Sequence, residues 1–321
     1  MSAARRLIWF RRLAFAGALL AAVVVVLGAW VRLTDAGLGC PDWPGCYGHL
    51  YPQAVAQTGK AWHEMIHRYV ATALGLLIVV LLSWAVAGRR DPNQPLLPVV
   101  LLFLVVCMQG ALGALTVTLL LKPLIVTAHL AGGLSTLALL FWLSITPERR
   151  DSSTDLRRLR PYVLLACAVL IVQLFLGGWT STNYAAVACP DFPTCQRSWW
   201  PAMDFRNAFV LWRGLGIDYE GGVLDNPARM AIHFMHRLGA LVTGVTLLSV
   251  GLAAALKPGP ARLRHAGGLL MAAVAAQISI GIATVSYGLP LPLATLHNAG
   301  AAGLVVAMVW LVRALWPAAP P

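Results

Sequence analysis

Four histidines keep a common beat along the chain. His67 and His129 are 62 residues apart, His236 and His297 are 61 apart, and an arginine follows the leading member of each pair, Arg68 and Arg237. Neutral imidazole is a common ligand for iron and other transition metals, so two matched pairs suggest two equivalent metal or haem sites. The heptapeptide Cys40-Pro-Asp-Trp-Pro-Gly-Cys46 precedes the first pair and returns as Cys189-Pro-Asp-Phe-Pro-Thr-Cys195 before the second. The chain is a duplicated unit.

The elements that must carry these residues are membrane spans. With 321 residues, 59% of them hydrophobic and 11% charged, the chain is too apolar for a soluble domain of its length. A spanning helix needs roughly 20 mostly apolar residues, and eight segments qualify, near 13–33, 62–87, 96–119, 123–145, 161–183, 229–255, 266–286 and 291–316. The expected fold is an all-α integral membrane protein, eight transmembrane helices arranged as two parallel-repeat four-helix bundles. Residues 1–150 form the first half and 151–321 the second.

Eight spans put both termini on one side. The termini and the loops at 88–95, 146–160 and 256–265 carry 15 basic against 4 acidic residues, whereas the other face has 9 against 8. The excess of Lys and Arg marks the cytoplasmic face, so both cysteine loops should lie outside, where thiols can be oxidised. Each pair could close a small disulfide, Cys40–Cys46 and Cys189–Cys195. Topology explains the net charge of +12 without a nucleic-acid partner. The first apolar run reads as a span and not as a removed leader, and a bacterial cytoplasmic (inner) membrane is the expected home. Cys107 and Cys167, inside spans, are expected to be buried apolar fillers.

The repeat extends beyond the loops. Gln109-Gly-Ala-Leu-Gly-Ala-Leu-Thr-Val and Gln277-Ile-Ser-Ile-Gly-Ile-Ala-Thr-Val hold Gln, Gly and Thr-Val at one spacing, with Gln173 and Gly177-Gly178 a weaker echo. Four spans per unit give both copies the same orientation, so the repeat axis runs along the membrane normal. The copies differ between the second cysteine and the His-Arg pair, where the second carries extra residues, about 198–226, rich in Trp and Tyr. An interfacial aromatic platform and a lid over a site are both open readings.

All four histidines are expected at similar depth, roughly 8–12 Å inside the outer ends of their helices. Ionisable groups in spans face the bundle interior and are functional candidates. Arg68 and Arg237 could pair with a haem carboxylate or snorkel to the outer interface. Glu64 stands one turn outward of His67 on the same helical face, and the matching residue of the second copy is His233. A carboxylate in one half could transfer protons or stabilise a developing cation, or simply pair with Arg68 or Lys60. His63-Glu64-Met65-Ile66-His67 also fits the His-Glu-x-x-His zinc-protease pattern. His63 aligns with Ile232, however, and zinc would leave the duplicated histidines unexplained. A di-haem b cytochrome relaying electrons is a second alternative.

Taken together, Glu64-x-x-His67-Arg68, His129, His236-Arg237, His297 and the outer Cys-x5-Cys loops resemble the haem A synthase family of bacteria and mitochondria over nearly the whole chain. The resemblance implies an oxidoreductase that converts the C8 methyl of haem O to a formyl group, giving haem A for terminal oxidases. It implies substrate haem near His67 and His129 with Glu64 taking part in the chemistry, and a haem b cofactor on His236 and His297. It also implicates Cys40 and Cys46 as a redox-active or structural pair. The implied partners are haem O, a haem O synthase, oxidase assembly factors and an electron acceptor that the sequence leaves unnamed. A homo-oligomer is compatible with it.

Overall fold

In lipid every backbone N–H and C=O must be satisfied within its own segment, so long apolar runs become helices. The computed structural model describes residues 3–52, 58–146, 154–257 and 259–316, and eight of its helices are long and apolar enough to cross a membrane. The first half is built from α1 (Ala3–Leu33), α2 (Thr58–Ala87), α3 (Leu96–Thr118) and α4 (Pro123–Ser144). The second half contains α5 (Thr154–Thr182), the short α6 (Phe205–Ala208), α7 (Asn226–Leu256), α8 (Ala261–Ser286) and α9 (Leu291–Leu315). Several helices start earlier than their apolar runs, α5 by a full two turns, because their charged first turns stay helical. The boundary between the halves at 150/151 and part of the basic loop around it lie outside the described residues.

Each half closes on itself as a ring. In the first, α1 packs on α2 and α4, and α3 on α2 and α4; in the second, α5 packs on α7 and α9, and α8 on α7 and α9. The halves meet through α1 with α9, α4 with α5, and α4 with α9. Exchanging the copies turns the first of these contacts into the second and the third into itself, which is what a two-fold axis passing between α4 and α9 requires. Small residues permit close approach where apolar burial gives little drive. A Cβ on Gly267 of α8, for example, would lie 2.5 Å from the Gly251 carbonyl oxygen of α7. The turns α3–α4 and α8–α9 match as well, with positive φ at Leu120 and Leu121 and at Gly288 and Leu289.

Cys107 departs from its expected burial. It is exposed on α3, whereas Cys167 is half-buried and packs on the core of the second half. Since α3 presents most of its surface outward, an apolar thiol there faces the surroundings of the bundle without penalty.

The extra stretch of the second copy is a strap onto the first half. Trp179 Nε1 donates to the Ala208 carbonyl at 2.9 Å, and Tyr219 N donates to Leu120 O at 3.1 Å. Lys122, 2% exposed, donates from Nζ to the carbonyls of Arg213 (2.7 Å) and Gly214 (2.9 Å). The same Nζ lies 3.6 Å from the centroid of the Trp212 ring. Lys60 pairs with Glu220 at 3.8 Å. Trp199 and Trp200 remain more than two-thirds exposed, so one end of the strap has a platform's character and the other is a clasp. Replacing Lys122 by Met should lower stability by about 2 kcal/mol, the usual scale for losing charge-assisted hydrogen bonds. Thermal unfolding in detergent should show it, together with faster proteolysis within 198–226, and Trp199→Ala should leave both unchanged.

Candidate functional site

The two cysteine loops are folded alike. Cys40–Cys46 and Cys189–Cys195 are both disulfide-bonded, with Cα–Cα distances of 4.8 and 4.5 Å. Each loop ends in a two-residue hairpin turn, bridged Cys46 to His49 and Cys195 to Ser198. The turn residues Tyr47-Gly48 and Gln196-Arg197 have positive φ, as the favoured two-residue hairpins require. The aspartate of each motif closes that turn. Asp42 accepts from Tyr47 N (2.6 Å) and Gly48 N (2.8 Å), and Asp191 from Gln196 N (2.7 Å) and Arg197 N (3.0 Å).

The arginine that follows each leading histidine reaches up into the loop. Arg68 Nη1 donates to the carbonyls of Asp42 (3.0 Å), Pro44 (3.2 Å) and Gly45 (2.5 Å). Arg237 donates from Nη1 to Asp191 O and Thr194 O, both at 2.8 Å, and from Nη2 to Cys189 O at 2.7 Å. Neither a haem carboxylate nor simple snorkelling anticipated these bonds. Residue 64 and its counterpart 233 complete the anchor. Glu64, 5% exposed, accepts from Cys40 N at 2.8 Å through Oε2 and from Arg68 Nη2 at 2.5 Å through Oε1. His233, 3% exposed, faces Cys189 N at 3.4 Å through Nδ1 and Arg237 Nε at 3.2 Å through Nε2.

The exchange of carboxylate for imidazole therefore keeps the position's structural work and changes its charge. Glu64 offers several lone pairs and answers both donors, whereas a neutral imidazole has one acceptor nitrogen for two. Glu64 with Arg68 is a neutral pair. Arg237 keeps its charge, with a carboxylate replaced by a ring. Lys60 is not Glu64's partner.

Below these anchors each histidine faces a glycine. A Cβ on Gly28 would lie 3.1 Å from His67 Cε1, on Gly113 3.5 Å from His129 Cε1, on Gly177 3.2 Å from His236 Cε1, and on Gly281 3.0 Å from His297 Cε1. In the second half the rings of His236 and His297 are 6.4 Å apart between centroids and nearly perpendicular, at 84°. In the first half His129 lies close enough to act electrostatically on His67. Ring atoms Nδ1 of His67, His129 and His297 are buried without a hydrogen-bond partner. The structure thus brings each sequence-predicted pair together within its own bundle.

Glutamines steady the rings. Gln173 Nε2 donates to the His236 carbonyl and sits 3.1 Å from its Nδ1, and Gln277 Nε2 donates to the His297 carbonyl at 3.0 Å and lies 3.4 Å from its Nε2. Gln109 packs against Gly132 where any Cβ would overlap its amide. The first half has Val24 at the place of Gln173. The sequence signal for these supports was the phrase Gln-x3-Gly, which occurs at 109–113, 173–177 and 277–281 and shows spacing without purpose. His63 meanwhile lies edge-on to Trp30 at 6.1 Å. Among the described residues no three His, Cys, Asp or Glu side chains converge on one point, so the zinc-protease spelling is not assembled into a zinc-protease ligand set.

The sequence matches the cytochrome oxidase assembly protein family COX15-CtaA over residues 11–309. It is also 40% identical to a haem A synthase of Shewanella oneidensis, with 97% of each chain covered. The chain belongs to the haem A synthase family. A haem A synthase of Rhizorhabdus wittichii is 27% identical over 91% of this chain and 90% of its own, and one of Halalkalibacterium halodurans 28% identical over 56% and 62%. In this member of the family the two disulfide loops also respond to pH through their aspartates.

The N–H groups of Gly48 and Tyr47 hold the Asp42 carboxyl below the ordinary carboxylate range. The Thr194 hydroxyl, with the amides of Arg197 and Gln196, does the same for Asp191. A carboxylate with a depressed folded-state pKa contributes stability above its unfolded value of about 3.9 and loses it as pH falls through the folded value. Hydrogen-exchange protection at the amides of residues 47, 48, 196 and 197 should therefore hold from neutral pH to about pH 4 and fall below it. Asp42→Ala should remove protection at Tyr47 and Gly48 at every pH.

Proposed function

We propose that the chain is a haem A synthase, oxidising the C8 methyl of haem O through an alcohol to the formyl group of haem A. The observation that carries the proposal is a duplicated pair of half-buried, glycine-backed histidines in which only one copy has a carboxylate one turn from the leading ring. In this reading His67 and His129 hold the substrate, and His236 and His297 hold haem b. Two imidazoles sharing one metal at bonds of about 2 Å have ring centroids roughly 6 Å apart, which agrees with the 6.4 Å between His236 and His297. Haem b would supply an acceptor for the electrons that leave the substrate.

The protein's own contribution is position and charge. The glycines clear space for the rings, and Gln173 and Gln277 fix two of them. Glu64 balances Arg68 beside the substrate, where oxidation builds positive charge. Arg237, with His233 where Arg68 has Glu64, is less fully balanced and favours an added electron on the other side. A unit charge contributes about 1.7 kcal/mol at an effective dielectric of about 20 and about 10 Å, enough to bias the direction of transfer. Proton uptake by Glu64 would release Arg68 or the Cys40 amide, so its chemistry and the loop's anchorage are linked. With their carbonyl bonds in place, we read Arg68 and Arg237 as loop tethers first and as partners for a haem carboxylate second.

The same reading places the protein in a bacterial inner membrane, with both termini cytoplasmic and the disulfide loops outside. A haem O synthase and oxidase assembly factors are its expected partners. The di-haem b relay would use the same histidines and gives no reason for Glu64 in one half alone.

Expression with a haem O synthase, followed by pigment extraction, tests the activity. Haem O and its hydroxylated and formyl products should accompany haem b, and haem b alone would support the relay instead. Glu64→Ala should keep haem b and stop conversion, and unchanged haem A output would overturn its role. His236→Ala or His297→Ala should abolish the haem b spectrum, whereas His129→Ala should chiefly reduce turnover. Gly177→Val and Gly281→Val should reduce retained haem b by roughly tenfold or more, the scale seen when groups supporting metal ligands are altered. Gly303→Ala, which meets open space, should leave it unchanged.

A further inference from the structure

At the end of the bundle opposite the disulfide loops, a cavity of about 620 Å³ opens between the halves. Its walls are Phe15 of α1, Phe141 of α4 and Trp310 of α9, and its rim includes Thr146, Arg262 and His265. Arg262 lines that rim, and two more guanidiniums, Arg11 and Arg313, lie beside it. Arg11 donates to the Thr146 hydroxyl and Arg262 to the Thr146 carbonyl, each at 3.1 Å. Arg313 stacks on Trp142 at 4.5 Å and lies close enough to Arg11 and Arg262 to be repelled by both. Its Nε is buried without a hydrogen-bond partner. The ion pairs Arg32–Asp35, Lys60–Glu220 and Arg68–Glu64 lie toward the other end.

A general bias of basic residues to one face explains arginines scattered over loops. It does not explain three that converge from α1, α8 and α9 on one half-buried rim, where like charges oppose one another. A dianionic or monoanionic phosphate group would relieve that repulsion and accept the unpaired N–H. The aromatic walls below the rim, with Phe15 47% exposed to the bundle's surroundings, suit a hydrocarbon chain. Basic pockets between spanning helices are known to hold acidic headgroups in this way.

We propose that this inter-half pocket binds one anionic phospholipid, its phosphate held by Arg262, Arg313 and Arg11 and an acyl chain lying along Phe15, Phe141 and Trp310. The lipid would bridge the halves at the end the strap does not reach. It is separate from the histidine sites and does not depend on the proposed activity.

The test uses the full-length protein, delipidated in a neutral detergent and titrated with phosphatidylglycerol, phosphatidylcholine or inorganic phosphate. Native mass spectrometry reads bound lipid and thermal unfolding reads stabilisation. Phosphatidylglycerol should bind and raise the unfolding midpoint, with phosphatidylcholine and phosphate much weaker. In the double variant Arg262→Gln/Arg313→Gln, its binding should weaken roughly 25-fold, taking about 5-fold for each basic residue near an anionic lipid. Arg89→Gln/Arg90→Gln, basic residues of the same end outside the pocket, should bind as the parent does. Equal binding of phosphatidylcholine, equal stabilisation by inorganic phosphate, or equal loss in both double variants would each overturn the proposal. The comparison of the three ligands on the unaltered protein decides the matter even if the double variant does not fold.

Discussion

A guanidinium drawn out of water must spend its donors, and the two arginines beside the leading histidines spend theirs on loop carbonyls. That requirement fixes the loop-bearing ends of both bundles. Each loop is drawn onto its helix by the arginine, by an amide bonded to the side chain four residues earlier, and by a carboxylate that closes its turn. His67 and His236 sit between those two anchor points along the helix. The ring that would meet a metal is therefore set by bonds made outside the apolar core, where hydrogen bonds can be directed, and not by packing alone, which is less directional.

Deeper in the bundle, space takes over from hydrogen bonding. Large side chains would keep the histidines and glutamines from their places, and a glycine stands opposite each of them. The cost of those glycines in helix propensity is modest, up to about 1 kcal/mol each, and it is offset by close helix approach and by the buried polar groups they admit. The second half has two glutamines on its rings, Gln173 and Gln277, whereas in the first half valine replaces one of them.

Much of this was legible in the sequence, because lipid allows few solutions. Apolar runs had to be helices, an even number of spans per copy had to give a parallel repeat, and histidines in matching places had to face inward. What stayed hidden depends on individual bond directions. Nothing in the order of residues shows that Arg68 turns toward carbonyls 42, 44 and 45, or that His233 takes over the anchoring work of Glu64. The strap was visible as an excess of length and aromatic residues, but Lys122, the residue that fastens it, lies in the other half, some 90 positions away from its carbonyl partners. Cys107 was misread because an apolar residue is equally at home against lipid and in a core, and composition cannot separate the two.

The approximate two-fold axis between α4 and α9 carries a consequence for how such a protein can change. Two separate copies of one four-helix unit, packed as these halves are, would form an isologous dimer. In that dimer every substitution appears on both sides, so a negative charge gained near one pocket is gained near the other and no gradient between them can form. Joining the copies in a single polypeptide removes that restriction. Glu64 against His233, Val24 against Gln173, and a strap present once are differences that only a fused pair can hold. A symmetric scaffold thereby acquires two chemically unlike sides while keeping the geometry it inherited.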